Sequence, residues 1–245
     1  MGLNGHPAGW YFSLYPDAAE GGGCFQGSIK NPNSNTFAKN PDSLRAKSEA
    51  ARRAKGNLRR YCVANELTRL VTLTYAGEGQ FDQKAFREDI AQFVRNLKGG
   101  LGGDAIPYLW VPEWHKSHGL HAHLGVAQYI PRNLIESAWG KGFVHIKLLD
   151  GVPFGSGERE CARRAAGYLG KYASKSFADD RRIQGLHRYE IAQGFKPLKE
   201  IVYGKNKSEL WTELTERMHA SPIIVWDSID AENWQAPPSI WMQWR

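Results

Sequence analysis

Cysteine is scarce in this 245-residue chain: Cys24, Cys62 and Cys161 are its three, far apart and forming no CxxC pair. That spacing gives neither a zinc ribbon nor a disulfide framework, and reduced thiols are expected. Long apolar runs are missing as well, none approaching the roughly 18 to 20 residues needed to cross a bilayer. Met1 to Trp10 lacks the charged and then apolar pattern of a secretory signal, so the expected compartment is the cytoplasm, with no membrane partner. A phosphate loop is also absent. Gly204-Lys205-Asn206-Lys207-Ser208 lacks the preceding glycine spacing, which argues against nucleotide hydrolysis, a nucleotide cofactor and a fused helicase. Acidic side chains are in the minority, 25 against 32 Lys and Arg, and the net charge of +7 points toward a polyanionic partner.

What is present is enough for a buried core: 42% of the residues are hydrophobic. Residues 1–40 are rich in Gly, Asn, Ser and Pro, with Gly21-Gly22-Gly23 and Asn31-Pro32-Asn33-Ser34-Asn35, and read as a flexible arm. Residues 41–64 read as a basic helical segment, alanine-rich from Leu44 to Lys55, with Asp42 or Ser43 as its N-cap. Arg52, Arg53, Arg59 and Arg60 on it are either a solvated helix face or a track for a phosphate backbone. Residues 65–205 carry the patterned domain. Residues 206–245 form a Trp-rich extension, with a helix over Glu209–Met218 and a strand over Pro222–Trp226, expected to pack on the core. A surface for a host polymerase or helicase is the alternative reading of its tryptophans.

Within 65–205, Leu70 to Tyr75 is β-branched and alternating, with Thr72 and Thr74 on one face. Asp82 to Lys98 carries Phe86, Ile90, Phe93 and Leu97 at helical spacing, with Asp82 as cap and Gly99-Gly100 as stop. Two strands follow around a polar turn, then a short helix opened by Pro131, then a strand from Gly142 to Leu149. The order strand, helix, strand, strand, helix, strand is that of the split βαβ, ferredoxin-like α+β fold: an antiparallel sheet with helices on one face.

The turn between the two middle strands organises the rest. His121-Ala122-His123 on a strand puts both imidazoles on one face and Leu120, Ala122, Leu124 and Val126 on the other. If His115 to Gly119 form the connection, Trp114 pairs with Leu120 and Glu113 falls opposite His121, about 5 Å away at Cβ. One carboxylate and two imidazoles around one point make a facial ligand set for a divalent metal. His118 is the alternative third ligand to Glu113, His145 reads as a packed or partly exposed strand residue, and Lys116 in the turn either solvates it or meets DNA.

After a glycine-rich loop, Glu158 to Ser176 is a helix with Tyr168 and Tyr172 one turn apart, as are Lys171 and Lys175. A phenol ordinarily ionises only near pH 10 and attacks poorly until nearby positive charge favours phenolate; the lysines with a divalent cation would supply that charge. Farther on, Arg181, Arg182 and Arg188, with Tyr189, either close the sheet edge or hold unpaired bases.

Taken together, Leu70-Val71-Thr72-Leu73-Thr74, Glu113 with His121-Ala122-His123, and Tyr168-Leu169-Gly170-Lys171-Tyr172-Ala173-Ser174-Lys175 resemble the three motifs of the HUH endonucleases. Within that superfamily they are most similar to the rolling-circle replication initiators of bacterial plasmids, prophages and single-stranded DNA phages. The resemblance covers roughly residues 65 to 180. It implies a ferredoxin-like nicking and joining domain that binds single-stranded or hairpin origin DNA. His121, His123 and Glu113 would hold Mg²⁺ or Mn²⁺, and a tyrosine would cut one strand to leave a 5′-phosphotyrosine and a free 3′-OH. Both Tyr168 and Tyr172 match nucleophile positions; relatives with one nucleophile usually place it second, which points to Tyr172 for the first cut. A transposase or relaxase would share this chemistry, and a noncatalytic single-strand binder would share the sheet. A metal-dependent oxygenase of the cupin kind expects a glutamate soon after HxH, and Leu124 to Gln128 offers none.

Overall fold

The computed structural model describes residues 7–27, 43–115, 117, 119–148, 157–178, 181, 187–232, 234 and 236–245. Lys116, His118, Arg182 and the loop 151–156 lie outside the described residues. The chain divides into two compact units, residues 42–196 and residues 1–41 with 197–245.

The first elements in the chain are strands β1 (Gly9–Tyr15) and β2 (Glu20–Gln26), followed by helix α1 (Ser43–Ala64). Next come β3 (Arg69–Tyr75), α2 (Gln83–Gly100), β4 (Tyr108–His115), β5 (Gly119–Val126), α3 (Arg132–Trp139) and β6 (Gly142–Leu148). Helix α4 (Gly157–Ala178) and the short β7 (Glu190–Ile191) complete the larger unit. The rest is β8 (Glu200–Gly204), α5 (Lys207–Met218), β9 (Ile224–Asp227) and β10 (Ser239–Gln243).

In the unit of residues 42–196 the strands are ordered β6-β3-β5-β4-β7, all antiparallel. The first four reproduce the split βαβ arrangement, with β3 between β6 and β5. Helix α2 forms because Phe86, Ile90, Phe93, Val94 and Leu97 line one stripe and are buried. The Asp82 side chain starts it by accepting from the Lys84 and Ala85 amides at 2.7 and 3.2 Å. Helix α3 stops at Gly140, whose φ of 59° carries the left-handed cap. Both helices cover Val71, Leu73, Leu120, Ala122, Leu124 and Val126 on one sheet face. Full burial of each large apolar side chain there contributes about 1.5–3 kcal/mol.

The opposite face is not bare. Helices α1 and α4 pack on each other and on part of it through Leu58, Tyr61, Leu70, Leu109, Val111, Ala165, Leu169 and Ala173. The expectation of helices on one face therefore holds for α2 and α3, while α1 and α4 add a second, partial layer.

The smaller unit corrects two boundaries. The sequence suggested a flexible arm over residues 1–40, but β1 and β2 are neighbouring strands in a second five-stranded sheet, ordered β8-β1-β2-β10-β9. Its core holds Trp10, Phe12, Leu14, Val202, Leu210, Leu214, Ile240, Met242 and Trp244. The glycine run misled because it reflects close approach: a Cβ on Gly21 would lie 2.1 Å from the Phe12 ring. The Trp-rich tail likewise builds this unit with β1, β2 and β8, so residues 197–205 belong with it and not with the domain drawn over 65–205.

Candidate active site

Strands β4 and β5 pair in the register read from the turn: His115 with Gly119, Trp114 with Leu120, Glu113 with His121. Gly119 makes the turn possible, with φ of 71° and the Gln80 carbonyl so close that a Cβ would meet it at 2.1 Å. The Leu120 amide donates to that same carbonyl at 2.7 Å, fixing the hairpin tip to the segment before α2.

Glu113 does not close on His121, which sits opposite it. Its Oε2 lies 2.7 Å from Nε2 of His123, the diagonal neighbour, which a twisted antiparallel pair brings within reach of a long side chain. The other oxygen, Oε1, accepts from Lys175 Nζ at 2.7 Å, a contact spanning from α4 to β4. Burial pushes the Glu113 carboxyl up, but the hydrogen bonds from His123 and Lys175 outweigh it and hold the group below the usual carboxylate range. It is an anion at neutral pH.

The two threonines expected to face DNA stand behind the imidazoles. Thr72 Oγ1 is 3.1 Å from Nδ1 of His123, and Thr74 Oγ1 is 3.2 Å from Nδ1 of His121. For His121, Nδ1–H donating to Thr74 leaves Nε2 with the lone pair, the tautomer that a metal-binding imidazole needs, whereas Nε2–H of His123 donates to Glu113. The His115 ring stacks on His121, centroids 4.9 Å apart, so a third imidazole joins the face from the end of β4.

Tyr172 comes in from α4. Its ring stacks on His123 with centroids 3.7 Å apart and planes 11° from parallel, and its hydroxyl donates to Tyr168 at 2.8 Å. The phenols and the imidazole pair thus share one site. The expected activation by lysine is not arranged here: Lys175 is engaged with Glu113 and lies 5.2 Å from the Tyr172 ring centroid, and Lys171 is exposed. Burial first, then the hydrogen bond to Tyr168 and the charge of Glu113, raise the Tyr172 phenol far above its ordinary value. The hydroxyl is therefore held as a proton donor.

Among the described residues no three His, Cys, Asp or Glu side chains are gathered as ligands of one ion. The donor chemistry still fits a divalent cation. An imidazole nitrogen and a carboxylate oxygen face each other at hydrogen-bond distance, both imidazoles are oriented by threonines, and the carboxylate already holds one cationic group in Lys175. His145 is exposed on β6 opposite Thr72.

The basic residues are spread around this centre. Arg52 and Arg53 are exposed on α1, Arg53 facing Glu49 at 3.7 Å, while Arg59 and Arg60 are half-buried and Arg60 donates to Asn57 at 2.7 Å. Arg181 lies over the Trp114 ring, 4.5 Å from its centroid, and Trp114 leans on the exposed Phe81. Arg188 is half-buried beside β7. The diagonal Glu113–His123 contact and the reach of Lys175 were missed in the sequence because neither follows from spacing along one element.

The chain matches none of the curated proteins and none of the solved structures compared with it. A family model does match: residues 68–177, the segment supplying Thr72, Thr74, Glu113, both imidazoles, both phenols and Lys175, are similar to the replication-associated protein ORF2/G2P family.

Proposed function

We propose that this protein is a metal-dependent single-strand DNA nicking and joining enzyme that initiates and terminates rolling-circle replication through a 5′-phosphotyrosine. The observation that carries the reading is the Tyr172 ring stacked 3.7 Å from the His123 ring, beside Glu113. A phenol brought beside an imidazole–carboxylate pair can attack a phosphate that the pair and its metal hold next to it. The family match supports replication over transposition or conjugative transfer.

His121, His123 and Glu113 would hold Mg²⁺ or Mn²⁺, a donor set that does not distinguish the two. When bound, such an ion withdraws charge from the phosphorus and orients the scissile bond. Thr72 and Thr74 keep the imidazoles turned toward the substrate. Tyr172 Oη forms a bond to phosphorus as the bond to the 3′ oxygen breaks; the phenol proton is released and the 3′ oxygen ends protonated. No water is consumed, so the 3′-OH can attack the phosphotyrosine and rejoin the strand. Tyr168, hydrogen-bonded to Tyr172, is placed to make the second cut of a replication round without release of the first covalent end.

The test is incubation with single-stranded oligonucleotides spanning the element's own origin, with Mn²⁺ or with chelator. The expected result is a metal-dependent covalent adduct on the 5′ end created by the cut, lost when Tyr168 and Tyr172 are both changed to Phe. An adduct that persists in the double variant removes the nucleophile assignment.

A further inference from the structure

Strand β6 is the edge strand next to β3, and neither carries an Asp or Glu. Register places Phe143 opposite Thr74, His145 opposite Thr72 and Lys147 opposite Leu70. Because side chains alternate, Phe143, His145 and Lys147 share the sheet face of Thr72, Thr74, His121 and His123. All three are exposed, Phe143 by 69%. Helices α1 and α4 cover the β4 side of this face and leave β6 open. A row across the sheet thus runs from Phe143 through Thr74 to His121, roughly 10 Å over two interstrand spacings.

We infer that the open face of β6 holds the unpaired DNA segment next to the scissile phosphate, with Phe143 stacking on a base and Lys147 on the backbone. The inference rests on the nicking reading and adds to it where the strand lies. A large aromatic ring presented on a rigid strand has a flat apolar surface that any base can cover, and the lysine supplies the charge a phosphate needs. The absence of carboxylates on β3 and β6 removes the repulsion that the Glu113 side of the site would impose. A lysine on an exposed edge strand also discourages strand-on-strand association, and that protective role predicts no preference for bases.

The experiment uses the full chain in EDTA, so that binding is read without cleavage, and fluorescence anisotropy with two labelled probes: dT20 and an abasic 20-mer of the same backbone. The wild type should bind dT20 about five- to a hundredfold more tightly than the abasic strand, the range of one stacked base. Phe143→Ala should lose most of that preference while its affinity for the abasic strand stays the same, and Phe143→Trp should restore it. Lys147→Ala should weaken binding to both probes and reduce the salt slope by about 0.7, the value for one phosphate on a single strand. Thermal melts of each variant check folding, and the Trp variant keeps the test meaningful if Ala is unstable. A Phe143→Ala protein that keeps the full base preference overturns the inference, as does one whose only change is in self-association measured by sedimentation. The nicking reading is scored separately, on whether the wild-type chain forms a tyrosine adduct, so either can fail alone.

Discussion

The ammonium of Lys175 stands where positive charge is wanted at Glu113, and this makes its removal informative. Nζ is 2.7 Å from Oε1, the Lys175 side chain is 66% exposed and that of Glu113 is 21% exposed. A pair with one partner so open to solvent is worth about 0.2–1 kcal/mol after screening. A divalent ion recruited to Glu113 must displace that contact, so Lys175→Met, which keeps the length and apolar stem, should raise Mn²⁺ affinity without DNA by roughly one-and-a-half- to fivefold. Isothermal titration calorimetry reads this directly. The gain should shrink in high salt, where the exposed pair in the wild type is already screened. Glu113→Gln, by contrast, should weaken Mn²⁺ binding by about tenfold or more, since it removes the anionic ligand. A Lys175→Met protein that binds Mn²⁺ no better than wild type, at any salt, refutes the idea that the ammonium occupies the place of the ion.

Three other perturbations follow from the geometry. Tyr168→Phe removes the acceptor of the Tyr172 hydroxyl bond, which is one cause of the raised Tyr172 value. The Tyr172 phenol should then ionise at lower pH than in wild type, though still above its ordinary value because burial persists; ultraviolet titration against a Tyr172→Phe reference measures it, and an unchanged or higher midpoint contradicts it. Gly119→Ala places a Cβ at φ of 71° against the Gln80 carbonyl, and should cost about 1 kcal/mol or more in chemical denaturation; a stability within error of wild type means the turn is not as described. Deleting residues 1–27 removes two neighbouring strands of the β8-β1-β2-β10-β9 sheet, so residues 197–245 should become protease-sensitive; a deletion that leaves them as resistant as before supports the arm reading over the strands.

The hairpin was legible because three local signals agree: alternation in β5, the polar turn, and a glycine where the backbone needs positive φ. The register of Glu113 with His121 follows from those alone. The strand order around it was legible for the same reason, since α2 and α3 announce themselves through a single apolar stripe and clear caps. The strands β1 and β2 were not, because glycine in β2 is chosen by the Phe12 ring lying over it, a contact that no local propensity encodes. Within the site, residue types were legible and pairings were not. Thr72 and Thr74 were seen to share a strand face, but that they would orient the imidazoles depends on the β3–β5 register, which only the folded sheet fixes.

The distance between the phenols and the imidazoles is set by residues that have no chemistry of their own. Helix α4 buries Ala162, Ala165, Ala166, Leu169 and Ala173, the last four against α1 and the sheet. Four of these five have a single methyl for a side chain, so the helix axis can lie close to the strands beneath it. Tyr172 immediately precedes the buried Ala173, and its ring lands flat on His123. Tyr168, one turn earlier, is carried on the same side and ends within hydrogen-bond distance of Tyr172. A helix with leucines at those alanine positions would have similar amphipathicity and the same two tyrosines, but it would stand farther from the sheet and separate the phenols from the imidazoles. The alanine spacing of α4 therefore belongs to the site as much as its tyrosines do, because it converts a YxxxY pattern, common on helices, into two hydroxyls held beside an imidazole–carboxylate pair.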